Sequence, residues 1–335
     1  MTSAATVDAR RHDPVGADPH GPVIVGQGVT KHWKSTPVLT DADLTVGPGI
    51  TGLLGPNGSG KTTLIGMILG LHRPDAGSLR VLGIDPTTAG HEVRARVGYS
   101  PEHHRLPPDT RVSDFVAHIA QVHGLPRRAA INRASDALWH VGLGEERFRP
   151  LGTMSTGQRQ RAKLAQAIVH DPALVLLDEP TDGLDPLQRD DMLDLIRRMG
   201  RDFGMHVLLS SHLLEEVERV CDGVVILRDG KVAVSGSIET VRGTGTGVIV
   251  ELVDGWDAVS AHLHAGGFEV ERDGLKLLVR SRVDHADPDV TFDAVRDAVA
   301  ASNSAIRMLK ARQTTLEDVF LSEPDASSET RLVGP

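Results

Sequence analysis

The sequence predicts an α/β fold built around a largely parallel sheet, on three observations. From Val23 onward, short apolar runs alternate with longer amphipathic stretches, the pattern of strands that each hand over to a helix. The apolar run 50–54 leads through a glycine-rich loop into a segment with Leu64, Ile65, Ile68 and Leu69 on one helical face. Residues 173–177 form an unbroken apolar run that ends in Asp178 and Glu179, as a strand covered on both faces would.

The other elements follow along the chain. Residues 112–151 have helical character: Ser113 is expected to cap one helix ending before Gly124 and Pro126, and a second helix runs to Gly142 or Gly144. They mark a helical subdomain, residues 103–165, inserted into the α/β core. Residues 186–203 read as a helix with Pro186 in its first turn, Leu193, Ile196 and Met199 on one face, and Gly204 as its stop. A buried strand follows at 206–209, and then two short strands flanking Arg228-Asp229-Gly230-Lys231, a hairpin signal. The glycine–threonine run 243–247 marks a linker. The expected division is therefore a disordered tail at 1–22, a nucleotide-binding domain at 23–243, a small C-terminal α+β domain of ferredoxin-like alternation at 244–321, and a second disordered tail at 322–335.

Composition narrows the function. A length of 335 residues exceeds one typical domain of roughly 100–200 residues. The formal net charge of -9 argues against a broad nucleic-acid surface, so no nucleic-acid partner is expected. No apolar run approaches the ~18–20 residues needed to cross a bilayer, and the N-terminus lacks the apolar centre of a secretory signal. The single Cys221 cannot form an internal disulfide and reads as a small buried residue in a reducing compartment.

Gly55-Pro56-Asn57-Gly58-Ser59-Gly60-Lys61-Thr62, followed by Thr63, is a complete phosphate-binding loop between a strand and a helix. Its glycines let successive backbone N–H groups turn toward anionic oxygens, and the helix N-terminus adds partial positive charge. Lys61 can reach β- and γ-phosphates, and the Thr62 hydroxyl is placed to ligate Mg2+. An apolar strand ending in Asp178 and Glu179 supplies the complement: Asp178 to hold the metal and Glu179 to accept a proton from attacking water.

Met154-Ser155-Thr156-Gly157-Gln158 reads as a helix start in which Ser155 and Gln158 cap each other. Its position before the Asp178 strand, combined with the phosphate loop, resembles the ABC ATPase family and its LSGGQ-like signature. The implied fold is a P-loop NTPase of the ABC type with a helical subdomain. The resemblance implies ATP and Mg2+ as ligands, a head-to-tail homodimer in which Ser155, Thr156, Gly157 and Gln158 close over the phosphates of the other copy, and a separate transmembrane permease. It also implies ATP hydrolysis coupled to transport at the cytoplasmic face of the membrane. Ser155 and Gly157 match the pattern, while Met154 and Thr156 depart from Leu and the first Gly.

Further elements come in the family's order. Thr181-Asp182-Gly183-Leu184-Asp185 resembles the D-loop, with Asp185 at the dimer seam. Ser210-Ser211-His212 resembles the switch histidine, which sets His212 beside Glu179 and the γ-phosphate. Lys31-His32-Trp33-Lys34 resembles the loop whose aromatic ring stacks on adenine, which makes Trp33 the candidate to stack there, with a strand-end aromatic of the core as the lesser reading. Gly98-Tyr99-Ser100-Pro101-Glu102 resembles the Q-loop, with Glu102 as an oxygen ligand for Mg2+ where Gln is usual, a substitution similar to the drug-export branch. Residues 314–321 resemble the C-terminal signature of daunorubicin-type export ATPases, and read equally as an amphipathic helix closing the small domain. The expected function is the ATP-hydrolysing subunit of a membrane exporter of drug, antibiotic, lipid or polysaccharide. A soluble ABC-type ATPase or a nucleotide-dependent regulatory module is the alternative.

Overall fold

The computed structural model describes residues 21–103, 106–243, 247–281, 288–312 and 316. The tails expected at 1–22 and 322–335 lie outside these, except Gly21 and Pro22, as does the capping pair Thr314 and Glu317.

The chain runs β1 (Ile24–Trp33), β2 (Thr36–Val46), β3 (Ile50–Leu54), α1 (Lys61–Ile68), β4 (Ala76–Val81), α2 (Gly90–Arg96) and β5 (Val97–Ser100). The helices α3 (Val112–Val122), α4 (Arg127–His140) and α5 (Thr156–Ile168) follow, and then β6 (Leu174–Asp178), α6 (Pro186–Phe203), β7 (His206–Ser211), α7 (Leu214–Val220), β8 (Gly223–Arg228), β9 (Lys231–Ser237) and α8 (Ile238–Gly243). The last part holds β10 (Gly247–Leu252), α9 (Trp256–Ala265), β11 (Phe268–Asp273), β12 (Lys276–Ser281), α10 (Pro288–Ala301) and β13 (Ile306–Arg312).

The central sheet has the order β5-β6-β7-β3-β8-β9. Its first five strands pair in parallel and β9 returns antiparallel to β8. That return works because Asp229 and Gly230 both take positive φ, 49° and 74°, as a tight hairpin turn of matching twist requires. Both faces of the sheet are covered. Leu174 and Leu176 of β6 join one core with β1, β2, β4 and α1, while Val175 and Leu177 join another with α3 to α6. Burial of each such side chain contributes about 1.5–3 kcal/mol, which explains why the run before Asp178 is uniformly apolar rather than alternating.

One helix start differs from expectation. Ser113 does not cap α3; Arg111 occupies the N-cap with extended backbone and no side-chain cap bond, and Ser113 lies within the first turn. Extended Arg111 instead bridges to Pro150, so α3 is positioned by the chain that leads to the signature segment.

A separate antiparallel sheet, β11-β12-β10-β13, carries α9 and α10 against one face, a β-α-β-β-α-β arrangement. Leu316 does not close this small unit. It is fully buried in a cluster with Leu54, Val217, Val224, Ile226, Ile238 and Val241, and its N–H donates to Glu218 Oε1 at 3.1 Å.

Candidate active site

The phosphate loop is shaped by close approach. Gly60 has φ 105°, and a side chain there would meet Leu39 Cδ2 at 3.0 Å and Val38 O at 3.1 Å. Glycine is the residue that tolerates both. Pro56, Asn57, Gly58 and Thr62 are exposed at the rim, while Gly55, Ser59 and Lys61 lie beneath it. Lys61 Nζ donates to Gly55 O at 2.7 Å and lies 3.7 Å from Glu179 Oε1. Ser59 Oγ and Glu179 Oε1 are buried and have no hydrogen-bond partner among the described residues. Unpaired polar atoms under a glycine cradle are what a polyanion and its cation would satisfy, so the residues present fit ATP with Mg2+.

The carboxylate pair is held by Ser210, to which the sequence alone assigns no role. Ser210 Oγ donates to Asp178 Oδ1 at 2.6 Å and accepts from the Glu179 N–H at 3.0 Å, so one hydroxyl fixes both residues. Glu179 sits at φ 47°, in the left-handed region that L-residues seldom adopt, which turns its side chain toward Lys61 and His212. His212 Nδ1 and Glu179 Oε2 are 2.9 Å apart. Burial pushes the Glu179 carboxyl above the ordinary value, and the His212 hydrogen bond and the charges of His212 and Lys61 pull it back.

A carboxylate that the sequence does not single out lies behind this pair. Glu216, 3% exposed, accepts from Thr181 Oγ1 at 2.9 Å and from Ser211 Oγ at 2.7 Å, and lies 3.4 Å from Arg189 Nε. It thereby ties the chain after Glu179, the residue before His212 and the start of α6 into one unit. In sequence it is one of two adjacent glutamates in a short amphipathic helix, and nothing local marks it as buried.

At the signature segment, Ser155 Oγ accepts from the Gln158 N–H at 3.2 Å, and Gln158 Oε1 accepts from the Ser155 N–H at 3.1 Å, the reciprocal cap read from sequence. Met154 is buried, Ser155 and Thr156 are exposed, and Gly157 is packed so that a side chain would meet Gln188 Oε1 at 2.8 Å. Asp185 caps α6 through the Gln188 N–H at 2.9 Å. Among the described residues, no hydrogen bond joins residues 155–158 to residues 55–63 of the same chain.

Trp33 is not a core residue. It ends β1 at 45% exposure, with Nε1 donating to Thr63 Oγ1 at 3.3 Å and its ring edge-on to His72 at 4.9 Å. Glu102 is half-buried with its carboxylate 3.3 Å from His103 Nε2, and no hydrogen bond among the described residues joins it to Thr62 or Asp178. Its carbonyl oxygen accepts from Lys163 Nζ of α5 at 2.9 Å. Burial holds the Lys163 ammonium below the ordinary lysine value, opposed by the charges of Asp182, Glu102 and Asp178. Among the described residues, no three His, Cys, Asp or Glu side chains converge as a complete metal cage, and no helix is long and apolar enough to cross a membrane. Mg2+ needs no such cage, because one or two carboxylates with phosphate and water oxygens suffice.

The family model described as ABC transporter matches residues 39–182. The ABC transporter ATP-binding protein YdbJ of Bacillus subtilis, uncharacterized by its name, is 36% identical over 69% of this chain and 74% of its own. The daunorubicin/doxorubicin resistance ATP-binding protein DrrA of Streptomyces peucetius is 32% identical over 88% of this chain and 90% of its own. The Nod factor export ATP-binding protein I of Ralstonia nicotianae is 31% identical over 90% and 93%. Among solved structures, an ATP-binding subunit of an ABC transporter superimposes with a TM-score of 0.59 at 28% identity, covering 66% of this chain and 92% of that one. The cbiO1 subunit from Clostridium perfringens, with a TM-score of 0.60 at 24% identity, covers 66% of this chain and 90% of that one and has the same fold.

Proposed function

Because this chain belongs to the ABC transporter ATP-binding family, we propose that it is the ATP-hydrolysing subunit of an exporter, working as a homodimer on a separate membrane permease at the cytoplasmic face. The observation that carries this reading is the position of Glu179, between Lys61 at 3.7 Å and His212 at 2.9 Å, at the end of the strand beside the phosphate loop. Two relatives named for drug resistance and Nod factor export support the outward direction.

In this reading the loop amides and Lys61 bind the β- and γ-phosphates, and Trp33 lies under the adenine. Thr62 and Asp178 present the oxygens that would hold Mg2+, with Glu102 as a further ligand; bound there, the ion neutralises phosphate charge. Glu179, ionised, takes the proton of the attacking water, and His212 orients Glu179. Ser155 and Gly157, exposed or beside exposed backbone at a helix N-terminus, serve the phosphates of the second copy, and Asp185 lies at that seam.

Purification of tagged Glu179→Gln protein from detergent-solubilised native membranes with ATP and Mg2+, followed by mass spectrometry, tests the assignment. A many-spanning membrane protein is the expected companion. Recovery of ribosomal or nucleic-acid-bound partners, or of none, would overturn the exporter reading in favour of a soluble ATPase or regulatory module.

A further inference from the structure

The helix α5 does more than begin at the signature. Gly98 of β5 lies so close to α5 that a side chain would run into the Ala167 carbonyl. One turn of contact farther along, Gln166 Nε2 donates to the Tyr99 carbonyl at 2.6 Å, and Lys163 Nζ donates to the Glu102 carbonyl at 2.9 Å. The backbone from Gly98 to Glu102 is thus fastened along α5 at three points.

Lys163 is the unusual member of this set. It is 5% exposed, at a helix position where leucine or methionine would fill the same space without desolvating a charge. Among the described residues its ammonium has one hydrogen-bond acceptor, the Glu102 carbonyl. The charges of Asp182, Glu102 and Asp178 favour its protonated form and offset part of the effect of burial. Glu102 itself adds a negative charge to a site that already holds Asp178 and Glu179 and is to receive a triphosphate. A neutral glutamine there would need no compensation; a glutamate does.

We propose that Lys163 is a positioning residue that serves Glu102 in two ways: it holds the Glu102 backbone against α5, and it supplies the buried positive charge that makes a glutamate acceptable beside the triphosphate. The inference rests on the reading that Glu102 faces bound nucleotide. Lys163 and Glu102 are then an energetically coupled pair, although their charged groups form no direct ion pair.

The test is a double-mutant cycle on the full chain, read as the Kd for a fluorescent ATP analogue with Mg2+, alongside thermal midpoints. Lys163→Gln keeps a donor for the Glu102 carbonyl and removes the charge; it is expected to weaken nucleotide binding about tenfold. Glu102→Gln added to Lys163→Gln is expected to recover most of that loss, with Glu102→Gln alone measured to close the cycle. Independent, additive effects, or parental affinity in Lys163→Gln, would overturn the charge pairing. Lys163→Met removes donor and charge together, and its extra effect over Lys163→Gln measures the backbone tether; the absence of any extra effect would refute that half. Lys61→Ala serves as the reference: retained nucleotide binding there would sink the reading of the site, whereas lost binding with an additive cycle would sink only the Lys163 inference.

Discussion

The imidazole Nδ1 of His212 lies 2.9 Å from the Glu179 carboxylate, across the ends of neighbouring strands β7 and β6. Burial raises the Glu179 carboxyl above its ordinary value of 4.5, and the His212 hydrogen bond lowers it. A base acts only when ionised, so hydrolysis should persist above the raised value and fail as pH drops through it, giving an acidic limb above pH 4.5. His212→Ala removes a lowering influence and should move that limb to higher pH. The kcat–pH profiles of the two proteins check this; superimposable limbs would separate His212 from Glu179. The same shift makes the folded protein bind this proton more tightly than the unfolded chain, so the carboxylate's destabilising contribution is present at neutral pH and relieved as pH falls.

Glu179→Gln should lower kcat by about 10²–10⁴ while ATP binding survives. With hydrolysis blocked, light scattering should find a dimer with ATP and Mg2+ and a monomer without them. Retained turnover would remove Glu179 from the role of base.

Trp33→Ala should weaken ATP binding by the worth of one base stack, about 1–3 kcal/mol, with little change in melting temperature because the ring is 45% exposed. A large fall in thermal stability with unchanged affinity would return Trp33 to a purely structural place.

Thr156→Gly should strengthen ATP-dependent dimerisation. The exposed threonine adds bulk at the helix start where the second copy's phosphates would approach, and its hydroxyl accepts from Arg159 Nη2 at 3.3 Å. The glycine costs the helix about 0.5–1 kcal/mol, so the KM for ATP should fall while the melting temperature drops slightly. A raised KM would mean that the Arg159 contact matters more than the space.

The phosphate loop and the carboxylate pair were legible in sequence because their function is local. Consecutive residues build the cradle, and strand and helix propensities around it place both ends. The reciprocal cap of Ser155 and Gln158 and the Asp229-Gly230 turn were legible for the same reason. Ser210, Glu216 and Lys163 were not, since each matters through burial against elements far away in sequence. A glutamate in a short helix or a lysine in a long one reads as solvated until packing removes the water. Ser113 shows the opposite case: a good capping residue is available, but the pairing of Arg111 with Pro150 sets the helix start two residues earlier.

Leu316 completes the wall of apolar side chains behind the strand that leads into the phosphate loop. Because synthesis proceeds from the N-terminus, that wall stays open until residue 316, made after β10 to β13, has left the ribosome. A chain clipped before residue 316 should lack one buried member of the cluster that holds Leu54, Val217 and Ile226, at a cost of about 2–5 kcal/mol if the loss matches that of truncating a buried leucine. The chain thus crosses the whole of the small sheet unit before it supplies Leu316 to the earlier core, and only a molecule made through residue 316 presents that core finished.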